Sequence, residues 1–277
     1  IRNSDPESKD YDHLKSTYRP SHADFTYDAK YGFRDHRGGG RSSARETACR
    51  VVAGGLARQI LMTLGVEACA YVDRVQNIAL ETEPRFYDRS LIDASDIRCP
   101  EQKAAEQMSD LIRTVKSKGD TVGGSVIAMV KGVPAGWGEP VFDKLQAKLA
   151  HALWSLPAVK AMEIGNGIEG SRMLGSTHND AWIQRKGEAP RTQSNHSGGI
   201  QGGISNGQNI VIRVAFKPVS TLMQPQKTID QEGNAVELEG KGRHDPCVLP
   251  RAVPIVEAMT MLVLVDEWLK NRTVRLG

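Results

Sequence analysis

The 277-residue chain lacks most of the features that announce a compartment or a class. Its four cysteines, Cys49, Cys69, Cys99 and Cys247, are scattered, with no C-x-x-C pair and no histidine at zinc-ligand spacing. Free thiols in a reducing compartment, the cytoplasm, are therefore expected, and no metal site. The longest apolar run, Ala258 to Val265, is far short of the roughly 20 residues that span a bilayer, which predicts a soluble protein without a membrane partner. Aromatic residues make up only 5% of the chain, too few for the stacking platforms of a single-strand RNA binder. A net charge of +3 is too balanced for a dedicated nucleic-acid binder, so any basic chemistry is local. No initiator methionine, signal peptide or targeting segment precedes Ile1, so a fragment or processed form is expected. With 39% hydrophobic and 25% charged residues the chain lies in the globular range, and its length suits one large domain or two small ones.

What is present is concentrated between Tyr18 and Thr47, where His22, Arg19, Arg34, Arg37, Arg41 and Arg45 surround the triple glycine Gly38–Gly40. Ser43-Ala44-Arg45-Glu46 has the spacing of a capping box, which predicts a helix starting near Ser43. Ala48, Val51, Val52, Gly55, Leu56, Ile60 and Leu61 recur at helical spacing and mark its expected core face. Backbone N–H groups at that N-terminus, with Arg41 and Arg45 beside them, would hold a phosphate or carboxylate. A disordered RGG tract and an ordinary helix start are the plain alternatives. This glycine run occurs once and leads straight into a helix, which favours an ordered loop.

Further along, Glu81 to Arg98 reads as an irregular connection. Ala104, Ala105, Met108, Leu111, Ile112 and Val115 predict an amphipathic helix stopped at Gly119. Gly124 to Val130 predicts a buried strand, Phe142 to Leu156 a third helix, and Asn209 to Lys217 another strand. The glycines of Gly198-Gly199-Ile200-Gln201-Gly202-Gly203-Ile204 either let backbone approach a flat ligand or mark bends. The helix from about Val253 to Lys270 is apolar nearly all round, predicting deep burial or a subunit interface. Helices and strands mix without a βαβ rhythm, so the fold class is α+β.

Three stretches together resemble chorismate synthase. They are Arg19-Pro20-Ser21-His22-Ala23-Asp24 with Gly38 to Thr47; Ser194 to Gly199 through Asn206-Gly207; and Gly242 to Cys247 followed by Glu257-Ala258-Met259. The match runs over essentially the whole chain, and the joint occurrence of the stretches in order makes it specific. The resemblance implies a β-α-β sandwich, residues 1–277 forming a single N-terminally incomplete domain, and assembly as a homotetramer. It implies an anti-1,4 elimination of phosphate from 5-enolpyruvylshikimate 3-phosphate to give chorismate, with reduced FMN as cofactor and NADPH as a flavin reductant in some members. In such chemistry the protein supplies orientation, charge and proton management.

Residue by residue, His22 matches the family histidine beside the flavin, and its side chain suits proton transfer near neutral pH. Asp245 matches the aspartate that works with flavin N5 in deprotonation. Arg19, Arg45 and Arg243 are the expected partners of the substrate's phosphate and carboxylates, because guanidinium forks fit both groups. For FMN the resemblance points to Ser43, Ala44 and Arg45, to Pro157 and Ala158, to Gly202, to Lys217, Pro218, Val219, Ser220 and Thr221, and to Arg243. His36, His151, His178 and His196 receive no catalytic role.

One departure lies at the front. Family members carry an upstream segment with a Gly-x-Ser-His-Gly-like motif and a second catalytic histidine, and nothing before His22 matches it; His13 sits in an unrelated context. A molecule that truly began at Ile1 is expected to be nearly inactive. A noncatalytic flavin- or phosphate-binding scaffold is the alternative from another class, and an RNA-binding module based on Arg34 to Arg45 is the weaker third.

Overall fold

A computed structural model describes residues 14–36, 44–240 and 245–274. Helix α1 (Asp24–Tyr31) comes first, and a single 3-10 turn at Ala44–Glu46 leads into α2 (Thr47–Thr63). Strands β1 (Glu67–Val75) and β2 (Ile78–Ala79) form a hairpin, and α3 (Arg89–Ile92) and α4 (Gln102–Ser117) precede β3 (Gly124–Lys131). Helix α5 (Leu145–Trp154) runs into β4 (Val159–Ile164). Then come the short α6 (Gly167–Gly170) and α7 (Gly175–His178) and the small hairpins β5 (Trp182–Ile183) with β6 (Arg191–Thr192) and β7 (Ile200–Gln201) with β8 (Ile204–Ser205). Strand β9 (Ile210–Phe216), the hairpin β10 (Gln226–Ile229) with β11 (Ala235–Leu238), and α8 (Leu249–Asn271) complete the order.

One five-stranded antiparallel sheet, in the order β2-β1-β3-β9-β4, organises these elements. Ala70 and Val72 of β1, Val126 and Ala128 of β3, and Ile212 and Val214 of β9 join Leu61, Leu149, Val256, Met261 and Leu264 from α2, α5 and α8 in the main core. Fully burying such side chains contributes roughly 1.5–3 kcal/mol each, so this sheet–helix face dominates the stability. On the opposite face Cys69, Tyr71, Ile127 and Met129 pack with Tyr87 and Ile92 in a smaller cluster. Strands β1 and β3 are covered on both faces and are buried almost throughout. Strand β9 alternates buried and half-buried residues because only one of its faces is fully covered.

The register between β1 and β3 shifts between Val72 and Arg74. An extra residue in one strand of a pair twists it and re-aims a side chain. Here Asp73 is buried and receives Arg213 Nε at 3.0 Å, and Arg213 Nη1 reaches Glu163 at 3.2 Å.

The structure bears out α+β. Of a sandwich with two sheet layers, the described residues form one, with α2, α4, α5 and α8 on one of its faces and α3 on the other. Periodicity located α4, β3 and β9 and overextended α5. Helix α8 starts earlier than expected, at Leu249, and holds two prolines. Pro254 has no N–H to bond the carbonyl four residues back, and Arg98 Nη1 donates to that carbonyl, Pro250 O, at 2.6 Å.

The expected core face of α2 is wrong by a rotation. Thr47, Gly54, Ala57 and Leu61 are its buried residues, whereas Ala48, Val52, Gly55, Leu56 and Ile60 are exposed. The cause is the α2–α8 crossing. A Cβ placed on Gly54 would lie 2.3 Å from the Cβ of Ala258, so only small residues fit the contact and the larger apolar ones face outward. At the helix start, Thr47 Oγ1 donates to Ala44 O at 2.5 Å and Glu46 pairs with Arg50 at 2.8 Å; the expected capping serine, Ser43, lies outside the described residues.

A candidate active site at one end of the sheet

The antiparallel register places the start of β3, the end of β9 and the start of β4 side by side, with Gly124 opposite Phe216 and Phe216 opposite Val159. The loops at that end therefore converge. Lys217 N donates to Ala158 O at 2.9 Å and Lys217 Nζ to Ser21 O at 2.6 Å. Thr121 Oγ1 donates to Val219 O at 2.7 Å, and Val122 N to Pro246 O at 2.8 Å. From α2, Arg50 Nη1 donates to Ser155 Oγ at 2.5 Å, two residues before Pro157. Six segments distant in sequence thus meet: 19–24, 44–50, 121–122, 155–158, 217–221 and 245–246. Most of the residues predicted from the sequence lie in them.

Ser21 and Ala158 both have left-handed backbones, with φ of 57° and 69°. Such conformations cost a non-glycine residue on the order of 1–3 kcal/mol and persist only where surrounding bonds hold them. Lys217 supplies a bond to each carbonyl. Its ammonium is lowered by burial and by the neighbouring Lys160, and no acidic group among the described residues offsets that shift. An anion would relieve that pair.

His22 sits in a network of charges. Its Nδ1 lies 2.9 Å from Asp24 Oδ1 and 3.0 Å from Arg19 Nη2. Arg19, buried, donates from Nε to Asp24 Oδ2 and from Nη2 to Asp24 Oδ1, both at 2.8 Å, and from its backbone N–H at 3.0 Å. Arg34 Nη1 lies 2.9 Å from the same Oδ1, while its Nη2 bonds the carbonyls of Leu14 and Thr17 at 2.7 and 2.9 Å. Burial alone would raise the Asp24 carboxyl, but hydrogen bonds from Arg19 and His22 outweigh it and hold it well below the ordinary carboxylate range. The Arg19 guanidinium, expected to grip substrate, is engaged with Asp24. Asp24 was legible in the sequence only as a flank of His22; the Arg-x-x-His-x-Asp spacing was the available signal.

Of the remaining predicted residues, Ala44 and Arg45 are exposed in the 3-10 turn. Asp245 is partly exposed and pairs with Arg251 at 2.9 Å. Ser43 and Arg243 lie outside the described residues. Gly202 is not brought to this cluster. It occupies the β7–β8 turn, next to the start of β9, where Gly198 O accepts Val211 N. Seven strand residues at about 3.3 Å each put roughly 20 Å between the two ends. Gly198 and Gly199 pack tightly against backbone of Gly165 and Asn209, so these glycines serve bends, while a Cβ on Gly202 would meet nothing.

Two further features escaped the sequence. A groove of about 1050 Å³ runs along the open face of the sheet, bordered by Gly124 and Ser125 at one end and Asn195 and His196 at the other, with Arg213 and Glu163 between. Asp180, its side chain wholly buried, accepts Ser194 Oγ at 2.6 Å and the N–H groups of His196 and Ser197, each at 2.8 Å, organising that far loop. Among the described residues no group of acidic, histidine or cysteine side chains is placed to hold a metal ion, and no helix is long and apolar enough to cross a membrane.

The sequence profile of the family described as chorismate synthase matches residues 1–269. The chorismate synthase of Opitutus terrae is 55% identical over 272 residues, covering 98% of this chain and 75% of that protein. That of Christiangramia forsetii is 55% identical over 273 residues, covering 99% and 75%. The enzyme of Synechococcus elongatus is 52% identical over 273 residues, covering 98% and 75%. A crystal structure of chorismate synthase matches the fold with a TM-score of 0.72 at 29% identity, over 90% of this chain and 70% of that one.

Proposed function

The chain belongs to the chorismate synthase family, and we propose that the loops gathered at the Lys217 end of the sheet are where it performs the family's reaction. It converts a small molecule, 5-enolpyruvylshikimate 3-phosphate, to chorismate, in aromatic amino acid biosynthesis. In finer terms the enzyme is a carbon–oxygen lyase acting on a phosphate ester. One C–O bond to phosphate and one ring C–H bond break, the phosphate leaves with its electron pair, the C–H pair enters the new diene, and the ring proton passes to a base. The relatives disfavour the noncatalytic scaffold.

The observation that carries the placement is the double engagement of Lys217, to Ala158 O and to Ser21 O. It joins the proposed cofactor segments to the loop of His22. The adjacent cations Lys217 and Lys160 fit an anionic ligand, and FMN carries a phosphate. Ala44, Arg45, Pro157, Ala158 and Lys217 to Thr221 would hold it, with Ser43 and Arg243. Reduced FMN, when bound, supplies transient electron density for the elimination. His22 holds a proton at Nε2 on the cofactor side, Asp245 manages the proton lost from the ring, and Arg45 and Arg243 balance the substrate's negative charge. Arg19 acts through His22 and Asp24.

The assembly proposed is a cytoplasmic homotetramer of single-domain subunits, in which Gly202 reaches a cofactor only if a second subunit presents it. NADPH is the proposed flavin reductant; its consumption with FMN and no other reductase tests that part. Anaerobic turnover of 5-enolpyruvylshikimate 3-phosphate with reduced FMN tests the whole. Chorismate formed by the full-length wild type and abolished in His22→Ala, with FMN still bound, supports the site, whereas FMN binding without turnover in a wild type shown to be full length would return the scaffold reading.

A further inference from the structure

His22 is held through one ring nitrogen. Nδ1 has two neighbours, Asp24 Oδ1 at 2.9 Å and Arg19 Nη2 at 3.0 Å, and among the described residues Nε2 has no hydrogen-bond partner. A bare Nδ1 would accept from Arg19, whereas a protonated Nδ1 would donate to Asp24; a single tautomer makes only one of these bonds.

The surroundings decide between them. Asp24 is buried and kept ionised by Arg19, by Arg34 at 2.9 Å and by the ring itself. A bare Nδ1 would aim its lone pair at that carboxylate oxygen. A protonated one aims its hydrogen there, in a charge-assisted bond about twice as strong as a neutral one. Arg19 Nη2 loses little by this, because it already donates to Asp24 Oδ1 at 2.8 Å. Of the other cations beside the network, Arg34 divides between Asp24 and Asp28, its Nε 3.3 Å from the latter, and Lys217 bonds Ser21 O rather than the ring.

We propose that Asp24 is the positioning residue of His22: it pins the ring as the Nδ1–H tautomer, so that Nε2 is the nitrogen that gives and regains the proton. The imidazolium releases the Nε2 proton to its acceptor and remains a neutral Nδ1–H ring bonded to Asp24. Solvent returns the proton to Nε2. The ring need not turn over at any stage. This inference rests on the catalytic reading of His22.

The test combines a spectrum with a mutant cycle in the full protein. Long-range 1H–15N spectra of histidine-labelled wild type without cofactor should show neutral His22 as Nδ1–H; an Nε2–H ring overturns the proposal before any variant is made. Asp24→Asn should shift the ring toward Nε2–H and lower kcat roughly 10²-fold with little change in KM or FMN affinity, and Asp24→Glu should recover part of the loss. In a His22→Ala background Asp24→Asn should cost nothing more, and a further loss there overturns the positioning role. Full turnover by His22→Ala would instead remove the catalytic reading, while the tautomer in the wild-type spectrum would still decide for or against Asp24.

Discussion

Lys217 Nζ donates to the carbonyl oxygen of Ser21 at 2.6 Å, so the residue that follows β9 clasps the loop that carries His22. The clasp holds Ser21 at a φ of 57°, a conformation a serine does not adopt without help. Lys217→Met should release it and also remove a cation from the proposed phosphate site. FMN affinity is expected to fall about tenfold and kcat to fall with it, read by anaerobic flavin titration and turnover. A kcat loss at unchanged FMN affinity would confine Lys217 to the clasp.

The crossing of α2 and α8 gives a prediction about stability alone. With only 2.3 Å available between a new Cβ on Gly54 and that of Ala258, Gly54→Ala forces the helices apart, at a cost of about 1–3 kcal/mol. Gly54→Val should cost more, and Ala258→Gly should relieve part of the Gly54→Ala loss. Thermal melts of the four proteins check this. Melting temperatures unchanged by Gly54→Ala would mean that the helices are not so closely packed.

That crossing also shows where sequence reading stopped. Periodicity found α4, because Ala104, Ala105 and Met108 do face the core, and found β9, whose burial alternates. It misassigned α2, because large apolar residues define the apparent face while glycine and alanine define the real one. Strand β1 went unread because Ala68, Cys69 and Ala70 carry little β-propensity, whereas β3, buried like it on both faces, is marked by Val126, Ile127 and Val130. In the candidate site, motif order named His22, Ala158 and Lys217, which the fold brings together. It did not name the partner of Arg19: the Arg-x-x-His-x-Asp spacing puts Asp24 within reach, but the hydrogen bonds also depend on side-chain direction.

Asp180 makes acid sensitivity testable. Burial would raise its carboxyl, but hydrogen bonds from Ser194 and Ser197, joined by the His196 N–H, outweigh it and hold it well below the ordinary range. A depressed acid stabilises the fold above its unfolded value, near 3.9, and that contribution is lost as pH falls through the folded value. Asp180→Asn should cost about 1–2 kcal/mol at neutral pH, and the gap from wild type should close below about pH 4. Urea midpoints across that range read it. A gap that stays constant would mean that the carboxylate charge contributes nothing to the loop.

Glu257 carries the opposite sign in a separate window. On α8 it is buried and takes Arg89 Nη2 at 2.5 Å and Arg58 Nη1 at 3.5 Å, yet burial outweighs both guanidinium groups and raises its carboxyl. An acid raised by folding favours the folded state below its unfolded value, near 4.3, and that advantage is lost as pH rises through the folded value. Glu257→Gln removes the buried charge and keeps an acceptor for Arg89, so at neutral pH it should lie within about 1 kcal/mol of wild type. Glu257→Ala, which leaves a gap and takes the carboxylate away from Arg89 and Arg58, should cost about 2–3 kcal/mol. Lowering the pH from neutral toward the unfolded value, near 4.3, should raise wild-type stability relative to Glu257→Gln, because only the wild type can take up a proton at this position. Paired urea melts at the two pH values decide it: a shift the other way would mean that Arg89 and Arg58 outweigh the burial of the carboxyl.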